Sequence, residues 1–162
     1  MNEVIKKEFT HLKIHTQYSI CEGALRTADL VKYCKTNKIK AVGLCDSYNL
    51  CGALEFSESI AKTKTQPIIG TQINIQHKGN RGKIPLFAKN LEGYKNLIKL
   101  SSKSFLEIKD GEEPHCNIED LEANNKGLIL LSGSFDGLIG KLFFNASGRS
   151  LKSSYISSEV FK

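Results

Sequence analysis

Ala41–Phe56 reads AVGLCDSYNLCGALEF. Its first five residues form a short apolar run, the composition of a strand buried in a parallel sheet. The run stops at Asp46-Ser47. Asn49 then stands where it can cap a helix with Leu50, Ala53, Leu54, Ile60 and Ala61 as its apolar stripe. A buried strand that ends on a carboxylate and feeds a helix is the repeating unit of α/β folds, where functional groups gather at the carboxyl ends of the strands.

Upstream of this unit, Thr10–Thr16 alternates Leu12 and Ile14 with His11, Lys13 and His15, the period of a strand. Gln17–Arg26 reads as a loop, and Thr27 is placed to cap a helix with Leu30, Val31 and Cys34 on one face. Downstream, Pro67 opens an extended run in which Ile69, Thr71, Ile73 and Ile75 alternate with other residues. His77–Lys83 is a turn-rich basic tip and Ile84–Ala88 returns, which predicts a hairpin. Asn90 caps a further helix with Leu91, Tyr94, Leu97 and Ile98 inward. A polar loop over 109–114, a short helix over Ile118–Asn124, a buried strand over Leu128–Leu131 and a helix marked by Leu138, Ile139, Leu142 and Phe143 complete the pattern. Ser150–Phe161 reads as a last helix with no strand after it, so a truncated piece of a larger fold is expected. The alternation argues for a largely parallel α/β sheet or barrel, with too few strands to close a barrel.

The chain has 162 residues, the size of one domain, and its 40% hydrophobic and 25% charged residues are a globular mix. No apolar run approaches the about 20 residues a membrane helix needs, and Met1–Phe9 lacks the apolar core of a secretory signal. Five cysteines, Cys21, Cys34, Cys45, Cys51 and Cys116, show no CxxC spacing. This argues against a disulfide scaffold or zinc ribbon, fits a reducing cytoplasm and marks most of these thiols as core residues. A net charge of +6 is too small to establish a nucleic-acid partner.

The predicted strand ends carry Lys13, His15 and, in the loop that follows, Glu22. They also carry Asp46 and Ser47, then Gln72 and Lys83, and finally Ser132 and Ser134. Glu22 near Asp46 beside an imidazole makes either a metal site or two carboxylates neutralised by two lysines. Gly133, Gly137 and Gly140 with Ser132 and Ser134 are weighed as a phosphate cradle at a helix start, but match neither the P-loop nor the dinucleotide fingerprint and read as a strand-to-helix turn. Lys78, Arg81 and Lys83 read as a solvated hairpin end in preference to a contact for a phosphate backbone, and His77 and His115 as exposed loop residues.

Thr10–Gly23 (THLKIHTQYSICEG) resembles the opening HLHxHSxYSxLDG pattern of the polymerase-and-histidinol-phosphatase (PHP) domain, in the form found at the N-terminus of bacterial replicative polymerase alpha subunits. The resemblance continues through Ala41–Phe56, Lys64–Ile73 (KTQPIIGTQI), Leu86–Ser102 (LFAKNLEGYKNLIKLSS) and Ile118–Gly133 (IEDLEANNKGLILLSG), so it covers most of 9–140 in the expected order. It implies that residues 1–162 are the N-terminal portion of a distorted seven-stranded (β/α) PHP barrel with mostly parallel strands. It also implies a cytoplasmic DNA-directed DNA polymerase, a nucleotidyltransferase, as the parent. The parent's Mg2+-dependent carboxylates would lie in a palm domain outside this chain.

The resemblance further implies a set of metal-ligand positions, and here the chain departs from the pattern. Lys13 stands for the first His of the HxH pair, and His15 keeps the second. Glu22 stands where the family often has Asp. Asp46 survives from an Asp-His pair whose His is Ser47. Gln72 replaces a ligand Glu, Lys83 a ligand His, and Ser134 a frequent Cys. Lysine donates without accepting and Gln is a poor ligand, so no catalytic residue, metal or cofactor is expected in this chain. Lys13 and Lys83 are instead expected to restore positive charge beside Glu22 and Asp46, so that Lys13→Ala costs more than the ~0.5 kcal/mol of a surface change. The implied role is bracing the polymerase and docking the proofreading exonuclease and other holoenzyme subunits, with DNA met through the parent. An active metal-dependent phosphoesterase (a 3′–5′ exonuclease or pyrophosphatase) and a plain basic nucleic-acid module are the competing expectations.

Overall fold

The computed structural model describes residues 9–135 and 137–147. Its elements are α1 (Thr27–Asn37), β1 (Ala41–Ser47), α2 (Ala53–Ala61), β2 (Gln66–His77), β3 (Asn80–Ala88), α3 (Leu91–Leu106), β4 (Cys116–Asn117), α4 (Ile118–Ala123), β5 (Leu128–Leu130) and α5 (Leu138–Ser147). They form one mixed sheet in the order β1-β2-β3-β5, with β4 paired to β2. The β1–β2 and β2–β4 pairs are parallel, while β2–β3 and β3–β5 are antiparallel. Four strands therefore run one way and β3 alone runs against them. Mostly parallel strands were the expectation, and the five described strands form an open sheet.

Two apolar clusters hold the helices to this sheet. Leu30 and Cys34 of α1 and Ala53, Phe56 and Ile60 of α2 bury against Val42 and Leu44 of β1. Leu97 and Leu100 of α3, Leu121 of α4 and Leu138 of α5 bury against Ile73, Ile75, Ile84 and Leu86 of the hairpin. Leu50 touches both clusters and ties them together.

Residues 10–16 do not form a regular strand. An Ile14 N–H to Leu12 carbonyl bond of 3.2 Å folds the backbone back on itself. The segment still lies along β1, its His11 and Ile14 carbonyls accepting from Gly43 and Cys45 at 2.7 and 2.8 Å. Gly43 permits this approach, since a Cβ there would stand 2.4 Å from the Leu12 carbonyl oxygen.

Thr27 is the first helical residue rather than a cap, and its buried hydroxyl has no partner among the described residues. Asn49 closes a turn instead of capping α2: its amide donates to the Tyr18 and Ser47 carbonyls and its oxygen accepts from the Cys51 N–H. The helix therefore starts at Ala53, which rotates Leu54 into solvent. Asn90 does cap α3, accepting from the Gly93 N–H at 2.9 Å. Leu97 and Leu100 face inward there, whereas Leu91 and Ile98 are exposed.

The hairpin tip is only Lys78-Gly79, so Arg81 and Lys83 are strand residues rather than a solvated end. Ile129 and Leu130 of β5 are half-exposed, because among the described residues β5 is paired on one side only. Cys34, Cys45 and Cys116 are buried, but Cys21 and Cys51 are exposed. His115 is largely covered, with 9% of its side chain exposed, because Arg81 reaches across to it. The glycines after β5 allow close packing: a Cβ on Gly137 would meet the Ser132 carbonyl at 2.4 Å. The helix expected over 150–161 lies outside the described residues.

Candidate functional site: a lysine-bridged carboxylate at the strand ends

The register of the sheet assembles the site. The β1–β2 pairing sets Asp46 beside Thr71 and Ser47 beside Gln72, and the β2–β3 pairing sets Asn74 opposite Lys83. The loop after the N-terminal segment adds Glu22. A cavity of roughly 620 Å³ opens here, with Lys13, His15, Glu22, Gln72, Lys83 and Ser134 in its wall. Six of the eight positions marked in the sequence thus share one cavity, and Asp46 and Ser47 lie directly behind it.

The two carboxylates are held differently. Asp46 is fully buried. Its oxygens accept from the Thr16 N–H at 2.6 Å, the Thr16 hydroxyl at 2.7 Å and the Ser19 hydroxyl at 2.6 Å. Hydroxyls and a backbone amide, rather than a lysine, therefore compensate its charge. Glu22 instead takes the Lys83 ammonium on Oε1 and the Ser47 hydroxyl on Oε2, and Oε2 also accepts from Gln72 Nε2 at 3.3 Å. Gln72 Nε2 bonds Ser47 Oγ at 2.7 Å, and His15 Nδ1 stands 3.9 Å from Glu22. Lys83 also lies 5.3 Å from the centre of the Tyr48 ring.

The two lysines also part company. Lys83 makes the expected contact. Lys13 lies exposed in the cavity wall and makes no ion pair among the described residues, so it compensates neither carboxylate by contact. Ser134 shares the wall but has no side-chain hydrogen bond among the described residues.

Sequence reasoning missed Thr16 and Ser19, which hold Asp46, and Tyr48, whose hydroxyl donates to Glu113 at 2.9 Å. It also missed Asn74, Arg81, Glu113 and Lys141 in the wall. The hydroxyls of the TQYS stretch were a usable signal, since a buried carboxylate needs nearby donors. The contacts of residues 113 and 141 depend on packing between distant elements.

Burial raises the Glu22 pKa, but Lys83, Ser47 and His15 outweigh it and leave it below the usual carboxylate value. Burial depresses His15, with Lys13 and Lys83 pushing the same way and Glu22 and Asp46 opposing. Burial drives the Cys45 thiol up to about 12, so it is no thiolate nucleophile at neutral pH.

Both site shifts act in the same direction on stability. His15 binds its proton more weakly folded than unfolded, so its contribution is lost as pH falls from the unfolded value near 6.5. Glu22 contributes above its unfolded value near 4.5 and loses that contribution as pH falls through its lower folded value. Urea midpoints should therefore fall below pH 6.5 and fall again below 4.5; His15→Gln should flatten the first segment and, because His15 helps to lower Glu22, weaken the second.

Residues 11–159 match the family model described as PHP domain. The chain belongs to the PHP domain family. The DNA polymerase III subunit alpha of Rickettsia prowazekii is 41% identical over 138 residues, covering 85% of this chain and 12% of that protein. The same subunit of Caulobacter vibrioides is 34% identical over 170 residues, covering 100% of this chain and 15% of that protein. The chain thus spans about an eighth of the length of these curated relatives. A solved structure from Bifidobacterium adolescentis, provisionally named a metal-dependent phosphoesterase, aligns with a TM-score of 0.46 at 16% identity over 96% of this chain and 56% of that one.

The donors of this PHP domain do not suit a metal. Among the described residues no three His, Cys, Asp or Glu side chains gather as a metal-holding group. The Asp46 and Glu22 oxygens face protein donors, and an ammonium sits against Glu22. Gln72 turns its amide nitrogen, a donor and not a ligand, toward Glu22 and Ser47.

Proposed function

We propose that this PHP domain is the N-terminal portion of a bacterial DNA polymerase III alpha subunit and serves DNA replication in the cytoplasm. Its sheet would be the first part of a seven-stranded barrel, with the Mg2+-dependent nucleotidyl transfer carried out elsewhere in the polymerase. The domain itself is metal-free and non-catalytic, braces the polymerase and docks the proofreading exonuclease. One observation carries the non-catalytic reading. The Lys83 ammonium sits on Glu22 while Ser47 and Gln72 complete the carboxylate's shell, so side chains supply the charge and donors a metal would otherwise supply. Identity to alpha subunits over 85% to 100% of the chain supports the replicative assignment. Among the described residues, no helix is long and apolar enough to cross a membrane.

Purified protein should carry no stoichiometric zinc, manganese or iron by elemental analysis. It should release no phosphate from nitrophenyl phosphate and no nucleotide from 3′ ends when Mn2+ is added. Turnover that tracks added metal would overturn the reading. Lys83→Met should lower unfolding stability by about 1–2 kcal/mol, more than an exposed pair gives, because it strands a partly buried carboxylate. Glu22→Gln added to Lys83→Met should recover part of that loss.

A further inference from the structure

The end of the sheet opposite the cavity collects lysines that lie far apart in the chain. Lys40 directly precedes β1, Lys64 lies two residues before β2, Lys89 directly follows β3 and Lys126 lies two residues before β5. Because β3 runs against the other strands, all four reach the same end. The helices α1 and α2 also finish there and add Lys35, Lys38 and Lys62. All seven are exposed. Backbone bonds of 2.8 Å tie these positions together, from the Gln66 N–H to the Lys40 carbonyl and from the Lys89 N–H to the Gly127 carbonyl. Glu58, Glu92 and Glu122 are the carboxylates on the helix turns that reach this end, so seven ammonium groups face three anions. Lys35, Lys38, Lys62, Lys64, Lys89 and Lys126 make no ion pair among the described residues. Around the cavity, by contrast, Lys13, Arg81, Lys83 and Lys141 are matched by Glu22, Asp46, Glu112 and Glu113.

Helix ends account for only part of this row. A cation at a helix C-terminus offsets the macrodipole, which explains Lys35 and Lys62. Four others stand where local physics disfavours them. Lys38 and Lys64 have φ of 50° and 65°, the left-handed region that favours glycine or asparagine. Lys89 directly precedes the Asn90 cap of α3. Lys126 lies beside the same helix, its carbonyl accepting from the Asn96 amide at 2.9 Å. Both therefore sit near the positive end of the α3 dipole, where a cation is unfavourable. Charge kept against local preference points to an anionic partner.

We propose that this lysine row binds the phosphate backbone of duplex DNA without reading its sequence. From β1 to β5 the row crosses three interstrand gaps, about 14 Å. One DNA strand presents a phosphate about every 3.4 Å of helix rise, so roughly four lie within reach. Thr36, Gln66 and Asn125 are exposed among the lysines and add donors for phosphate oxygens. All seven cations are lysine and none is arginine. Protein interfaces favour arginine and are depleted in lysine, whereas a phosphate backbone accepts lysine as a point charge. The inference is independent of the metal-free reading of the cavity, and either can fail alone.

The test is fluorescence anisotropy of a labelled 20-base-pair duplex titrated with the whole chain in EDTA, from 50 to 200 mM NaCl. Micromolar binding is expected at 50 mM, with a log–log salt slope of about −4 and no dependence on sequence. Lys38→Asn, Lys64→Asn, Lys89→Gln and Lys126→Gln should each make the slope shallower by about one. Together they should weaken binding roughly a hundredfold or more at 50 mM. Asparagine suits the left-handed backbone, so Lys38→Asn and Lys64→Asn should leave the melting temperature unchanged or raised while binding falls. Lys109→Gln removes the same charge from the opposite end and should leave binding unchanged. No binding at 50 mM NaCl would overturn the proposal. So would binding that survives the four substitutions, or that falls equally with Lys109→Gln. Polyglutamate that competes as well as unlabelled duplex at equal charge would also overturn it and assign the row to an acidic protein.

Discussion

Asp46→Ala is expected to lower unfolding free energy by about 3–5 kcal/mol, the range for removing one side of a buried charged network. Three donors converge on this fully buried carboxylate: the Thr16 N–H, the Thr16 hydroxyl and the Ser19 hydroxyl. Each bond to a charged group contributes about 1.5–3 kcal/mol, offset in part because alanine no longer has to be desolvated as an ion. The stranded donors then pull the N-terminal segment off β1. That segment is otherwise held there mainly by two backbone bonds at Gly43 and Cys45. Asp46→Asn keeps one acceptor oxygen and should cost roughly half as much. Urea unfolding followed by circular dichroism measures both. A loss under about 1 kcal/mol for Asp46→Ala would mean the network is not structural, since that is the scale of an ordinary surface change.

The second large effect is a gain. Glu22 touches or nearly touches His15, Ser47, Gln72 and Lys83. The triple variant Ser47→His, Gln72→Glu and Lys83→His removes one ammonium and surrounds Glu22 and His15 with two imidazoles and a carboxylate. That is a nitrogen and oxygen set suited to zinc or manganese. The expected outcome is about one bound equivalent by elemental analysis after dialysis, with Zn2+ raising the melting temperature as a ligand specific to the folded state does. The parent chain should respond to neither metal. If the triple variant fails to bind metal even when Lys13→His is added, these substitutions are not what keeps metal out, and the account of Lys83 as a replacement cation falls.

Much of this was legible in the order of residues. The run AVGLC before Asp46 predicts β1, and the structure has it at Ala41–Ser47. The hairpin, the Asn90 cap and the clustering of six marked positions at one cavity were likewise foreseeable, because strand ends in α/β folds converge. The N-terminal strand was misread because alternation records which side chains can be buried but not whether backbone bonds form along the segment. The α2 stripe was misread because Asn49 spends its side chain on a turn, a choice set by Tyr18 31 positions away. Arg81 was assigned to a solvated tip because turn residues predict a reversal better than its length.

By itself, the sequence determined the family, the α/β order and the chemical character of the site. Protonated lysine at 13 and 83 offers no lone pair and glutamine at 72 is a poor neutral ligand, a difference from histidine and glutamate that belongs to the side chains themselves. Only the tertiary structure decided which charge meets which. Lys83 reaches Glu22 across 61 positions, Asp46 is satisfied by hydroxyls rather than by Lys13, and Lys13 is left facing the cavity beside Lys141. Those pairings follow from strand register and loop packing, which bring together residues that no local pattern connects.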